Sequence, residues 1–346
     1  MTLWGYQHLP SFLALAARST LPRSRAARAR AIRGAAAEYR RVLREAGIPD
    51  GGGGWTRSAG PASRTRFAAL RRELIVADDV PYGPYPAQRL TIWRSPGTAS
   101  TPAPVLVFLP GGGWIYGNPA RQATAMLAHL ARSGWLCVGV SHRVAPHDPW
   151  PAHLEDVERA LDWVRRTAHH HGGDPGFLAL AGCSAGGHLA SLAALRAGAA
   201  TSTSTSAPTG ERSGVGAAVS IYGRYDWEDR TGFGREEFMT FLEKVVTQVP
   251  QSEAPDLFRA ASPVAQVHEA APPFLVIHGT GDDIIPVEQA RRFVTELRTR
   301  SGNPVVYAEL PGAQHGFDFR NNRRSWDTAM AVERFLRAAY EDTLRP

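Results

Sequence analysis

Residues 177–188 read Phe-Leu-Ala-Leu-Ala-Gly-Cys-Ser-Ala-Gly-Gly-His, an apolar run that ends in a glycine-flanked serine. The apolar residues predict a buried strand, and the small residues of 187–197 predict a helix directly after it. A Gly-x-Ser-x-Gly sequence between a strand and a helix is typical of a nucleophile elbow, a sharp turn that exposes the central hydroxyl. Ser184 is therefore the candidate nucleophile. The alternative is an ordinary glycine-rich turn, so the interpretation depends on partner residues elsewhere in the chain.

Short apolar runs and helical stretches alternate along the rest of the chain. The predicted strands are 73–77, 88–93, 105–109, 136–140, 177–181, 215–222, 274–278 and 305–310. The predicted helices are 25–46, 122–133, 153–169, 187–197, 287–300 and 325–340. This alternation predicts an α/β fold with a mostly parallel central sheet and helices on both of its faces.

The length of 346 residues suits one large α/β domain with an appendage. We expect residues 1–70 to form a basic helical arm that serves as a lid or a docking segment, and residues 71–346 to form the main domain. Within that domain, the polar low-complexity segment 199–216 predicts a disordered loop. Segment 223–263 is a candidate cap insertion between late strands.

The net charge of +7 comes from arginine, since Lys244 is the only lysine in the sequence. Much of the excess lies in the first seventy residues, and no nucleic-acid-binding motif accompanies it, so we expect no nucleic-acid partner. Contact of the arm with an anionic membrane surface or an acidic partner stays open. The apolar stretch 12–17 is too short to cross a bilayer, and no lysine or arginine precedes it, which favours a cytoplasmic location. Two cysteines do not form a disulfide framework.

A serine nucleophile needs a base, and the base needs an acidic group that orients it. The carboxyl ends of parallel strands meet at one edge of a sheet. Loops after three predicted strands hold Ser184, the pair Asp282 and Asp283, and His315, in the chain order Ser, Asp, His that an α/β-hydrolase shows. We favour Asp282 as the acid because it stands four positions before Pro286, which matches the pattern of this fold, an aspartate, any residue, two hydrophobic residues and a proline. Asp283 would then either support a catalytic residue without touching the substrate or cap the following helix.

Other residues compete for the base and the nucleophile. Of the twelve histidines, His315 alone follows the last predicted strand in a loop of small residues. The run His169–His171 predicts a solvated helix end, with a metal site as the alternative, and the histidines of 142–153 lie in a loop that approaches the site. Cys183 precedes the serine, but an elbow presents its central residue. No metal or organic cofactor is predicted.

A tetrahedral intermediate needs backbone N–H donors for its oxyanion. Gly111, Gly112 and Gly113 follow the first buried strand, where glycine lets the backbone come within about 3 Å of that oxygen. The amide of Ala185, directly after the nucleophile, is the further candidate. The alternative for the glycines is a plain flexible turn. Six aromatic residues are candidates for a substrate pocket, although each could instead be part of the core. They are Trp114, Tyr116, Trp150, Tyr222, Trp227 and Phe317.

These segments together resemble hormone-sensitive-lipase-like carboxylesterases. The resembling segments are Leu-Pro-Gly-Gly-Gly-Trp at 109–114, Ser-His-Arg-Val-Ala-Pro at 141–146, the elbow, Ala-Pro-Pro-Phe-Leu at 271–275 with the following acid loop, and Pro-Gly-Ala-Gln-His-Gly-Phe at 311–317. The resemblance covers about residues 74–340. It implies an α/β-hydrolase fold and cleavage of a small-molecule carboxylic ester through an acyl-enzyme, without a cofactor. Short- to medium-chain or aryl esters are the expected substrates.

The sequence departs from this family at three positions. Pro110 stands where the family has a histidine that helps to fix the oxyanion loop, and Cys183 and His188 stand where many members have aspartate and asparagine. The sequence Gly-x-Ser-Ala-Gly-Gly-His-Leu is closer to the arylformamidase and feruloyl-esterase-like branch. An arylformamidase-type amidase and a non-hydrolytic binding or biosynthetic protein of the same fold therefore remain alternatives. The oligomeric state is open.

Overall fold

A mixed eight-stranded sheet runs through the centre of the protein. The computed structural model describes residues 25–49, 64–97, 102–119, 122–203, 214–230, 235–319 and 322–345. The strands are β1 (Ile75–Pro81), β2 (Arg89–Trp93), β3 (Ala103–Leu109), β4 (Leu136–Val140), β5 (Gly173–Cys183), β6 (Ala217–Ile221), β7 (Phe274–Gly279) and β8 (Val305–Leu310). The helices are α1 (Arg25–Glu45), α2 (Arg64–Leu74), α3 (Thr124–Arg132), α4 (Ala152–Thr167), α5 (Ala185–Thr203), α6 (Arg235–Phe241), α7 (Pro255–Ala260), α8 (Val287–Arg300) and α9 (Arg323–Thr343).

The strand order is β1-β2-β4-β3-β5-β6-β7-β8. The pairs β1–β2 and β2–β4 are antiparallel, and every pair from β4 to β8 across the sheet is parallel. The predicted mostly parallel α/β sheet is thereby confirmed. Because β3 to β8 run in the same direction, their carboxyl ends lie along one edge, and the loops that follow them converge there.

The sheet has a hydrophobic core on each face. Along β3, Val105, Val107 and Leu109 face one core, and Leu106 and Phe108 face the other, as the two-residue period of a strand requires. The first core is covered by α4, α5 and α8, and the second by α1, α3 and α9. Each large aliphatic side chain buried in this way contributes about 1.5–3 kcal/mol. Burial on both faces explains why the central strands read as continuous apolar runs.

The described part of the predicted arm comprises α1 with the turn after it and the first residues of α2, and α1 packs onto the second core. Tyr39 and Leu43 are fully buried there. The hydroxyl of Tyr39 lies 2.8 Å from Oγ1 of Thr328 on α9, which fixes the two helices against each other. Residues 1–24 and 50–63 of the arm lie outside the described residues, so its limit at residue 70 and its role as a lid or docking segment stay predictions.

Two predicted surface segments contain helical structure. Helix α5 continues to Thr203, so the expected disordered loop 199–216 is wrong for its first five residues, where an alanine-rich sequence prolongs the helix. Residues 204–213 lie outside the described part of the chain. The described residues of the candidate cap 223–263 form α6, a π-helical turn at Leu242–Val246, α7 and a 3₁₀ turn at Pro263–Gln266. None of the helices in the described ranges is long and apolar enough to span a bilayer.

Candidate functional site

Ser184 lies in the tight turn between β5 and α5. Its φ of 54° is in the left-handed region, which is strained for a residue with a side chain. The two flanking glycines make this turn sterically feasible. A Cβ on Gly186 would lie 2.1 Å from the carbonyl oxygen of Leu109, and a Cβ on Gly182 would lie 2.1 Å from the carbonyl oxygen of Gly186. The local structure is therefore the predicted elbow.

Three loops at the carboxyl edge bring Ser184, His315 and Asp282 into contact. The Ser184 hydroxyl lies 2.8 Å from Nε2 of His315, and Nδ1 of the same ring lies 2.8 Å from Oδ2 of Asp282. His315 follows β8 and Asp282 follows β7. A carboxylate at Nδ1 holds the proton on that nitrogen, so Nε2 carries the lone pair that accepts the Ser184 hydroxyl. Among the described residues, the carboxylate that bonds to His315 is that of Asp282 and not that of Asp283. The role of Asp282 as the catalytic acid stays a prediction.

Asp282 is surrounded by hydrogen-bond donors. Its Oδ1 accepts the backbone N–H groups of Ile284 at 3.0 Å and Ile285 at 2.8 Å. Its Oδ2 lies 3.2 Å from Nε2 of His278, in addition to the contact with His315. Burial by itself would raise the pKa of Asp282, but the charge of His315 and the hydrogen bonds from His278 and His315 outweigh it and hold the pKa below its usual value. The carboxylate is thus ionised at neutral pH.

His278 is a site residue to which the sequence analysis gave no role. It is the penultimate residue of β7, four positions before Asp282, and its side chain is fully buried. Its Nε2–H is shared between Asp282 and the carbonyl oxygen of Ile285, which lies at 2.9 Å. This spacing, a histidine at a strand end four residues before the acid, is the sequence signal that could have identified it.

The loop after β3 lies against the elbow. A Cβ on Gly111 would lie 2.8 Å from the carbonyl oxygen of Cys183 and 3.2 Å from Cβ of Ser184, so glycine is needed for this approach. The N–H of Gly111, predicted as an oxyanion donor, is instead donated to Oε1 of Gln122 at 2.8 Å. Within the described residues, the N–H groups of Gly112 and Gly113 have no backbone or side-chain acceptor.

Trp114 fixes the far end of the same loop. Its carbonyl oxygen accepts Nε2–H of His153 at 2.8 Å and the N–H of Ala145 at 2.9 Å. Its indole N–H is donated to Nδ1 of His188 at 3.3 Å, and Nε2–H of His188 is donated to the carbonyl of Ala261 at 2.7 Å. Burial lowers the pKa of both histidines to about 3, so both are neutral and act as fixed hydrogen-bonding groups.

The six predicted pocket aromatics separate into groups. Trp114, Trp150 and Trp227 are buried together in the first core, with centroids 5.0 Å apart for Trp114–Trp227 and for Trp150–Trp227. Tyr222 and Phe317 lie in the second core with centroids 5.1 Å apart. Tyr116 is 47% exposed. Five of the six thus belong to the two cores, and the role of all six in substrate binding stays a prediction.

Cys183 and Tyr222 both bond to Asp318, next to His315. The Cys183 thiol lies 3.6 Å from Oδ2 of Asp318, and the Tyr222 hydroxyl donates to Oδ1 of the same carboxyl group. The ring of Tyr222 lies 4.8 Å from that of His315. Burial raises the pKa of Cys183 well above its usual value, so the thiol stays protonated and is a poor nucleophile.

Ala168 and the histidines at 169–171 form a 3₁₀ turn, in which Ala168 is buried and His169 and His170 are exposed. Among the described residues, no group of three or more His, Cys, Asp or Glu side chains is arranged to hold a metal ion.

Comparison with known proteins places this geometry in a family. The sequence profile of the BD-FAE family matches residues 91–297. The chain belongs to the BD-FAE family. The matched part of this BD-FAE member contains the Gly111–Gly113 loop, Ser184 and Asp282, and ends before His315.

Two curated relatives of this BD-FAE protein come from Mycobacterium tuberculosis. Esterase LipC is 48% identical over 275 residues, which are 80% of this chain and 66% of LipC. The probable carboxylic ester hydrolase LipM is 42% identical over 293 residues, which are 84% of this chain and 66% of LipM. The alignments thus span slightly less than two thirds of each relative.

A solved structure has the same fold. An esterase from Pyrobaculum calidifontis superposes with a TM-score of 0.64 at 25% identity, covering 79% of this chain and 89% of that protein. The predicted α/β-hydrolase fold of this BD-FAE protein is confirmed.

Proposed function

We propose that the protein hydrolyses carboxylic esters through an acyl-enzyme formed on Ser184. The observation that carries this proposal is the continuous contact of Ser184, His315 and Asp282, with 2.8 Å at each of the two hydrogen bonds. The names of LipC, an esterase, and LipM, a probable carboxylic ester hydrolase, support the same reaction class.

The contacts define the path of one proton. Oγ of Ser184 attacks the carbonyl carbon of the ester while its proton passes to Nε2 of His315. Nδ1–H stays on the ring, and the Asp282 carboxylate stabilises the imidazolium. The imidazolium then gives the Nε2 proton to the alcohol oxygen, the C–O bond breaks, and the acyl group remains on Ser184. Water repeats the sequence on the acyl-enzyme and releases the carboxylic acid.

Backbone donors face the oxyanion in this proposal. Gly112, Gly113 and Ala185 supply the N–H groups, whereas the N–H of Gly111 is already bonded to Gln122. Ala185 begins α5, so the positive end of the helix dipole adds to its N–H. Each such donor is worth about 2.7–4 kcal/mol of transition-state stabilisation.

We propose short- to medium-chain or aryl esters as substrates. The ring of Tyr222 lies 4.8 Å from that of His315, and the ring of Phe317 lies 5.1 Å from that of Tyr222. These aromatic rings support an apolar acyl or aryl group near the reacting carbonyl. An N-aryl formamide is the competing substrate, because the same His315 could protonate an amide nitrogen. A cytoplasmic location and contact of the arm with an anionic membrane surface stay predictions.

The test is hydrolysis of a p-nitrophenyl ester series from acetate to palmitate, together with labelling by a fluorophosphonate. We expect activity on the shorter esters, labelling of the wild type, and loss of both in Ser184→Ala. Cys183→Ala is the matched control at the neighbouring thiol, which burial keeps protonated, and should keep both. Faster turnover of an N-aryl formamide would favour the amidase alternative. A folded wild type that is neither labelled nor active would contradict the proposal.

A further inference from the structure

We propose that Gln122 is the positioning residue that sets the direction of the oxyanion donors. This inference rests on the proposed ester hydrolysis and adds a residue whose role neither the motifs nor the comparisons indicate. Gln122 lies eleven residues after Gly111 in sequence, yet its side chain pairs with both backbone groups of that glycine.

The pairing is bidentate and buried. The N–H of Gly111 is donated to Oε1 of Gln122 at 2.8 Å, and Nε2 of Gln122 donates to the carbonyl oxygen of Gly111 at 2.9 Å. Gln122 is 8% exposed, so water competes little for these bonds. Because one bond needs the side-chain oxygen and the other needs the nitrogen, the amide has a single satisfied orientation.

This pairing fixes the peptide that carries the next donor. In a trans peptide the C=O of one residue and the N–H of the following residue point in opposite directions within one plane. Holding the carbonyl of Gly111 therefore sets the direction of the Gly112 N–H. Gly111 itself packs against the elbow, since a Cβ built on it would lie 2.8 Å from the carbonyl oxygen of Cys183. The direction of the Gly112 N–H is therefore set relative to Ser184.

The loop needs such a device because of its own sequence. Three successive glycines have wide conformational freedom, and Gly112 and Gly113 have positive φ values of 144° and 58°. Pro110 has no N–H to bond, and it stands where the resembling enzymes have a fixing histidine. Trp114 secures the far end of the loop through His153 and His188, so Gln122 supplies the constraint at its beginning.

The experiment compares wild type with Gln122→Met and Gln122→Glu. Methionine keeps the length and removes both hydrogen bonds. We measure kcat and KM for p-nitrophenyl butyrate, and Ki for a trifluoromethyl ketone, which forms a tetrahedral oxyanion on the serine. For Gln122→Met we expect kcat to fall about 10- to 100-fold with KM little changed, and Ki to rise by a similar factor, because misdirected donors weaken only the oxyanion state.

Gln122→Glu should give a pH dependence of kcat that a purely structural role of Gln122 would not produce. The introduced carboxyl group can donate to the Gly111 carbonyl when protonated and cannot when ionised. The ratio of wild-type to variant kcat should therefore rise with pH, and taking the ratio removes the pH effects that the two enzymes share. Leu127→Ala, a buried change in α3 that leaves the pairing intact, is the control for general loosening of this segment.

The outcomes separate the two proposals. A wild type that is inactive, or as active as Ser184→Ala, overturns the proposed function. An active wild type with unchanged kcat and Ki in Gln122→Met overturns the role of Gln122 and leaves the function intact. An equal loss of kcat in Leu127→Ala also overturns it. If Gln122→Met does not fold, Gln122→Glu decides instead. A ratio of wild-type to variant kcat that does not change with pH then overturns the role of Gln122.

Discussion

Replacing Asp282 by asparagine exchanges one carboxylate oxygen for an NH₂ group without changing the shape of the side chain. All the close polar neighbours of this carboxylate are donors. Oδ2 faces the ring N–H groups of His315 and His278, and Oδ1 faces the backbone N–H groups of Ile284 and Ile285. While the His315 ring carries its proton on Nδ1, an asparagine NH₂ group has no acceptor on either side. The substitution therefore opposes donor to donor in both orientations.

The expected loss of activity follows from the tautomer of His315. With the NH₂ group towards the ring, Nδ1 must accept, so the ring proton moves to Nε2 and faces Ser184. The base can then no longer take the hydroxyl proton, and we expect kcat to fall about 10,000-fold, which corresponds to about 5 kcal/mol. With the NH₂ group towards the backbone, the negative charge is still absent, and opposed N–H groups cost about 1–3 kcal/mol of stability.

The assay is kcat for p-nitrophenyl butyrate at pH 8, with thermal melting of each variant. Asp283→Asn is the matched control, since it makes the same chemical change one residue further on, at a carboxylate that does not contact His315. We expect the control to stay within about threefold of wild type. The reasoning is refuted if Asp282→Asn keeps more than about a tenth of wild-type kcat. It is equally refuted if both substitutions cause the same loss.

Three further predictions concern stability and pH. Burial raises the pKa of Asp327 to about 6, above its value in the unfolded chain, so the native state loses stability as pH rises from about 4 to 6. Asp327→Asn should remove about 1–3 kcal/mol of this penalty, and its gain in Tm should be larger at pH 7.5 than at pH 4.5. Gly186→Ala would place a Cβ 2.1 Å from a backbone oxygen and should abolish soluble expression, whereas Gly302→Ala, with nothing within 4 Å, should express normally. His188→Phe leaves the Trp114 indole N–H without its acceptor and should lower the free energy of unfolding by about 1–3 kcal/mol, measured by denaturant unfolding. The pH profile of kcat/KM should not shift, because the pKa of His188 is about 3.

The sheet and the contacts of the three proposed catalytic residues could be predicted because each depends on local sequence. Apolar runs mark buried parallel strands, and Ser184, Asp282 and His315 each follow such a run directly. Parallel strands bring those positions to one edge regardless of the details of packing. The choice of Asp282 over Asp283 depended on a single spacing, that of Pro286 four residues after Asp282.

The supporting residues could not be predicted in the same way. Gln122 and His153 reach the oxyanion loop across the fold, from segments whose own sequence gives no sign of that contact. The aromatic residues were grouped by proximity to strand ends, yet the sheet separates Trp227 from Tyr222 into different cores. Helix α5 extended past its predicted end because alanine content outweighs the polar residues that follow.

The left-handed φ of 54° at Ser184 has a consequence for directed evolution. Glycine relieves about 1–2 kcal/mol of this strain, offset in part by about 0.5–1 kcal/mol of added freedom in the unfolded chain. Ser184→Gly should therefore melt slightly above wild type while it lacks the proposed nucleophile. A library selected only for survival at high temperature would enrich inactive clones at this position, so heat resistance and turnover must be screened together.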